Sequence, residues 1–142
     1  MFKFSKKSKS RLETCHPDII QIMNVALSIS NIDFGISEGH RSINKQKEYF
    51  DKGLSKKDGV TSLSKHNYYP SLAVDIYPYF NNQANWDKEH LSYLAGIIHA
   101  VSENLYSNKK IKHRIRWGGN WDMDGTIIKD QSFNDRPHFE LL

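Results

Sequence analysis

Asp75 lies inside the most strand-like run of the chain, Leu72-Ala73-Val74-Asp75-Ile76-Tyr77, whose other members favour a buried β-strand. A carboxylate in such a place costs several kcal/mol by desolvation unless a cation, a set of hydrogen-bond donors or a proton compensates it. The run therefore predicts a strand within a sheet, ending at Pro78, with Asp75 either bonded to backbone donors or facing a positive group. At 142 residues and 16.5 kDa the chain has the size of one domain, residues 1–142, which can bury a core without disulfides.

The remaining periodicities surround that strand with helices. Ile19, Ile22, Met23 and Ala26 recur at three and four from Pro17 to about Ser28, a helix packed by one face. Ile32, Phe34 and Ile36 alternate with polar or small residues and predict a strand running into Glu38-Gly39-His40-Arg41. Ser42 is suited to cap a short helix through Phe50, with Gly53 ending it in the left-handed conformation, and Leu54 to Leu63 reads as a polar loop. Asn85 is a candidate cap for a helix to about Tyr106, whose stripe is Leu91, Leu94, Ala95, Ile98, Val101 and Leu105. His113 to Trp117 and Pro137 to Leu141 read as strands joined by a long excursion. This order predicts an α+β fold, a small and mostly antiparallel sheet flanked by helices.

Lys and Arg number 20 against 16 Asp and Glu, for a net charge of +4 and a pI near 9.1. Lys3, Lys6, Lys7, Lys9 and Arg11 concentrate that charge in residues 1–11, expected as a flexible, solvated basic arm. Beyond charge there is no basic and aromatic surface motif, so no nucleic-acid partner is expected. The run Arg11-Leu12-Glu13-Thr14-Cys15-His16-Pro17 is too polar for the core of an export signal. Polar residues interrupt the apolar stretch from Leu91 to Leu105, so no membrane insertion is expected. Cys15 is the single cysteine, expected as a plain, partly buried thiol, and any metal must be held by histidine and carboxylate.

Those residue types occur in three short pieces: Ser64-x-His66, Asp75 in its strand, and Asp135-x-x-His138-Phe139-Glu140-Leu141. A catalytic zinc site takes three nitrogen or oxygen ligands from the protein and keeps a fourth position for water. His66, Asp75 and His138 fill three places, and Asp135 is left over as a base; manganese or cobalt would be accepted by the same set. Pro137 pushes Arg136 toward extended geometry, which places Asp135 in a loop at the strand's mouth. Arg41 at a strand exit is a candidate for stabilising an oxyanion or binding a substrate carboxylate. Glu140 falls on His138's side by period two, able to orient His138 or bind a substrate amine, while Phe139 and Leu141 face the core. Ser64 is a candidate substrate contact or a hydroxyl bonded to its own loop, and Trp117 a candidate pocket wall or a core aromatic. His90 and His99, on opposite helix faces, are set aside. Asn120-x-Asp122-x-Asp124-Gly125 opens with calcium-loop spacing, but its twelfth position is Gln131 rather than glutamate, and it reads as an acidic turn.

Ser-x-His, then Ala-x-Asp, then an acid three residues before a second His resembles the M15 family of zinc peptidases. The resemblance runs through Gly39-His40-Arg41-Ser42, Trp117-Gly118 and the terminal His138-Phe139-Glu140-Leu141, and is strongest to the short phage endolysins that act as L-alanyl-D-glutamate peptidases. It implies a hedgehog/D-Ala-D-Ala peptidase-like fold, Zn2+ on His66, Asp75 and His138, and Asp135 as catalytic acid or base. Arg41 would be the catalytic arginine of Gly-x-Arg-Ser, with Ser64 at the substrate. The implied partner is the peptidoglycan stem peptide, met by a monomer made in the host cytoplasm and released to the wall by a holin. In one respect the chain departs from the pattern: eight residues, Asn67 to Val74, separate His66 from Asp75 where six are usual. A longer loop can still return Asp75 to the metal. A D-Ala-D-Ala carboxypeptidase or dipeptidase with the same site, and a noncatalytic zinc-binding wall-recognition module, are the alternatives.

Overall fold

The computed structural model describes residues 1–142 and places Asp75 in β2 (Ala73–Phe80), inside a sheet. β1 (Phe34–Glu38) pairs antiparallel with one side of β2, and β5 (Asp135–Leu141) with the other. β4 (Ile115–Gly118) lies beyond β5, giving the order β1-β2-β5-β4, and β3 (Gln83–Ala84) turns back on the end of β2. The fold is α+β, with α1 (Lys6–Leu12), α2 (Pro17–Ile29), α3 (Ile43–Asp51) and α4 (Lys88–Ser107) around this small antiparallel sheet.

Strand alternation divides the sheet into a core face and a polar face. Ile36, Val74, Ile76, Phe139, Leu141 and Ile115 are buried with Ile19, Ile22 and Met23 of α2 and Leu94 and Ile98 of α4 in one apolar cluster. The polar face carries the chemistry. A register shift in β1 sets Glu38 opposite Asp75, and Asp75 is opposite His138, so three strands hold Glu38, Asp75 and His138 in one row. In a second row Glu140 lies between Ala73 and Arg116.

Residues 1–11 do not form the expected arm. Ser5 caps α1 by accepting from Ser8 N, and Phe4 packs edge-on against Phe34 with ring centres 5.5 Å apart. Ser8 Oγ accepts from Ile36 N at 3.0 Å and Arg11 donates to Ile36 O at 3.0 Å, so two side chains complete the hydrogen bonds of the edge strand. An exposed edge needs some such cover, and here the basic segment supplies it.

Three other expectations shift, two of them through one hairpin. β2 continues past Pro78 to Phe80, because the proline's missing N–H faces away from β1, on the side where β5 stops pairing at Asp75 and where Pro78 only accepts, from Asn85 N at 2.9 Å. Asn81 and Asn82, with φ of 54° and 60°, then make the two-residue turn into β3. Asn85 closes that hairpin, donating to Phe80 O at 3.0 Å, and Asp87 caps α4 instead. β4 begins at Ile115 rather than His113, because Asp18 holds Lys112 N and both nitrogens of His113 that face it.

Candidate active site and metal centre

His66 sits in a one-turn 3-10 segment, Lys65–Asn67, capped reciprocally by Ser64 and Asn67. This turn and the strands converge on one point. His66 Nε2 lies 3.1 Å from Asp75 Oδ1 and 3.2 Å from His138 Nδ1, and His138 Nδ1 lies 3.1 Å from the same Asp75 oxygen. The eight-residue connection from His66 therefore returns Asp75 to the imidazole without difficulty.

The opposite ring nitrogens are both engaged. His66 Nδ1 donates to Gly39 O at 2.7 Å, and His138 Nε2 donates to Glu140 Oε1 at 2.8 Å. With those tautomers, two imidazole lone pairs and a carboxylate oxygen face one another, an arrangement that needs a metal ion or a proton between them. Ligands at about 2.0–2.1 Å around a tetrahedral zinc are roughly 3.3 Å apart, close to the separations found here. The donor set thus fits a zinc-sized ion with no rearrangement of the chain.

The charges around this point are strongly coupled. Burial pushes the Asp75 carboxyl up, but His66 and His138 outweigh it and hold the group well below the usual carboxylate range. Burial opposes protonation of His138, yet the hydrogen bonds it donates to Asp75 and Glu140 carry it to about 10 when no metal competes. Glu140, despite burial, is held at about 2 by His138 and Arg116, whose guanidinium donates to Glu140 Oε2 at 2.8 Å. Asp135 moves the other way: burial and then the Asp75 charge raise it, against the pull of His138, His66 and Arg41.

Asp135 is the first residue of β5 rather than part of the loop, with its Oδ2 4.0 Å from His138 Nδ1 and its side chain 33% exposed. It is held there by close backbone approach: a Cβ on Gly118, its partner across a bulge, would come within 2.1 Å of Asp135 O. Gly118→Ala is expected to displace Asp135, lowering the melting temperature by roughly 4–8 °C and kcat by at least about tenfold. Thermal denaturation and steady-state kinetics on the same preparation check this; an unchanged kcat would separate Asp135 from the reaction. Gly39 is constrained in the same way, since a Cβ there would meet Arg11 O and Thr14 Oγ1 at 2.4 Å.

Arg41, 8% exposed, donates through Nε to Glu38 at 2.9 Å and through one terminal nitrogen to Gln46 Oε1 at 2.8 Å, and stacks 4.6 Å from the Tyr49 ring centre. His66, Asp75, His138, Asp135, Arg41, Ser64 and Glu140 all line one cleft of about 1000 Å3. Over its whole length, residues 1–142, the chain matches the phage L-alanyl-D-glutamate peptidase family. It belongs to that family. It is 28% identical over 144 residues to the L-alanyl-D-glutamate peptidase of Escherichia phage T5, covering 99% of this chain and 98% of that protein. The crystal structure of the Serratia marcescens L-Ala D-Glu endopeptidase ChiX matches it with a TM-score of 0.76 and 25% identity, over 99% of this chain and 90% of that one.

Not every residue singled out in the sequence reaches this peptidase cleft. Trp117 pairs with Phe139, on the core face of β4, and its Nε1 donates to Arg136 O at 2.7 Å. The aromatic residues of the cleft are Tyr49, Trp86, Trp121 and Phe133, with the Trp121 ring 5.6 Å from that of His138. The Ser64 hydroxyl accepts from His66 N at 3.1 Å, the local bond that was its alternative use. Cys15 is fully buried, its thiol pushed up to about 12 by burial. Asp122, Asp124 and Asp130 gather at the surface, while Gln131 turns inward to Gly118 O at 3.0 Å and Trp121 N at 2.9 Å, bracing the loop rather than closing an ion site. The sequence reading missed Trp86, Trp121, Phe133, Gln46, Lys56 and Lys57, all in loops or on polar helix faces where no periodicity marks them.

Proposed function

We infer that this chain is a zinc-dependent peptidoglycan endopeptidase that hydrolyses the L-alanyl-D-glutamate bond of the stem peptide. One observation carries the reading: His66 Nε2, Asp75 Oδ1 and His138 Nδ1 meet within 3.2 Å of one another at the floor of the cleft, with the Asp135 carboxylate 4.0 Å from His138. Two imidazoles and one carboxylate suit zinc better than calcium or magnesium. Zinc held there would act as a Lewis acid and lower the pKa of its water toward about 7.

The protein groups do the rest. Gly39 O and Glu140 fix the two imidazole tautomers so that the ligating lone pairs point into the cleft. Asp135 receives the proton of the attacking water and passes it to the leaving amine, a task helped by its raised pKa. Arg41 is held by Glu38 through Nε and one terminal nitrogen and by Gln46 through the other, which leaves one N–H on each terminal nitrogen to stabilise the tetrahedral oxyanion. Trp86, Trp121 and Phe133 shape the walls along which the peptide lies. No helix is long and apolar enough to cross a membrane, and the site of action is the cell wall.

Mass spectrometry of purified peptidoglycan after digestion tests the reading directly. Fragments with new glutamate amino termini are expected, absent after chelation and restored by zinc. Release of D-alanine alone would assign the cut to the carboxypeptidase alternative, and no cleavage by zinc-loaded protein would leave the noncatalytic module.

A further inference from the structure

The cleft contains five cationic side chains, and three of them are already matched. Arg41 pairs with Glu38, Arg116 with Glu140, and Lys65 Nζ donates to Leu141 O at 3.0 Å. Lys56 and Lys57 have no carboxylate within ion-pairing distance. Lys56 Nζ instead sits 5.0 Å from the ring centre of Phe133, on the opposite loop.

Their backbone is nevertheless fixed. Gln46 is fully buried and spends its amide nitrogen on Ser55 Oγ and Lys57 O, both at 2.8 Å, while its oxygen accepts from Arg41 at 2.8 Å. One glutamine thus ties the lysine segment to the arginine at the reacting centre. Two lysines without a carboxylate partner, on an anchored backbone that lines the cleft, form a receptor for an anion.

The chemistry of the cleaved bond supplies that anion. The glutamate that follows the scissile nitrogen has two carboxyl groups, and continuing the chain uses one of them, so the other is left free or amidated a few bonds from the cut. We propose that Lys56 and Lys57 bind this free carboxylate, which makes the enzyme selective for stem peptides whose D-glutamate is not amidated. The proposal rests on the L-alanyl-D-glutamate activity inferred above. Arg41 does not compete for this role, because Glu38 already neutralises it.

Two soluble stem peptides that differ only in carrying a carboxylate or a carboxamide on D-glutamate test the pairing. For the zinc-loaded wild type, kcat/KM is expected to favour the carboxylate by about tenfold or more, mostly through KM, with the preference shrinking as salt is raised. In Lys56→Gln/Lys57→Gln the ratio is expected to fall to within about twofold of unity, with each single variant in between. Equal rates on both peptides by the wild type, or a preference that survives in the double variant, would overturn the pairing and leave the activity intact. Failure to cut either peptide would strike at the activity itself.

Discussion

Asp135→Asn is expected to lower kcat by about 10^2 to 10^4-fold while zinc content and melting temperature stay near those of the wild type. The substitution keeps the shape of a side chain 4.0 Å from His138 and removes only its ability to take a proton. Because burial and the Asp75 charge raise the pKa of Asp135, the active, ionised form is present above that raised value and is lost as the pH falls through it. The wild-type profile of kcat/KM should therefore have an acidic limb above the usual carboxylate range, and the asparagine variant should lack it. A kcat within about tenfold of the wild type, with zinc retained, would move the proton-transfer role away from Asp135.

Much of the candidate site is legible in advance because Asp75, Asp135, His138 and Glu140 lie on regular structure. In β5 the two-residue period puts His138 and Glu140 on one face and Phe139 and Leu141 on the other, and the structure keeps that division. Asp75 stood out because a charge within an apolar strand requires a partner: the register of β2 and β5 provides one imidazole, His138, and the 3-10 turn at Lys65–Asn67 provides the other, His66. The same period applied to β4 would have excluded Trp117, since Arg116 is the residue opposite Glu140 and its neighbour must face the core.

What resisted reading depends on contacts between distant segments. The amino-terminal lysines look like a solvated arm until the edge of β1 is in place to bond Ser8 and Arg11. Asn85 and Asp87 are equally good caps on paper, and only the hairpin at Asn81 and Asn82 decides between them. Trp121, Phe133 and Lys56 meet around the cleft because the 119–134 and 54–63 loops approach each other, which no local pattern encodes.

Loss of a metal ligand should have the largest effect of all, His66→Ala or His138→Ala lowering activity by about a thousandfold or more and emptying the site of zinc. Glu140→Gln is the graded case: it leaves the three ligating atoms and weakens the hold on His138 Nε2, so zinc affinity should fall by about 10 to 100-fold while saturating zinc restores most of the rate. Loading the metal-free protein adds a second signature. His138, at about 10, carries a proton at neutral pH among Asp75, Glu140 and Asp135, and zinc must displace it to reach Nδ1. Calorimetric titration with zinc in two buffers of different ionisation heat should then report release of about one proton per ion, with affinity rising as the pH is raised toward 10. In the Glu140→Gln protein one of the carboxylates that hold this proton is gone, so proton release at neutral pH should fall along with affinity. Zinc uptake with no buffer dependence would mean that His138 is already neutral, and the balance of charges drawn for this site would then be wrong.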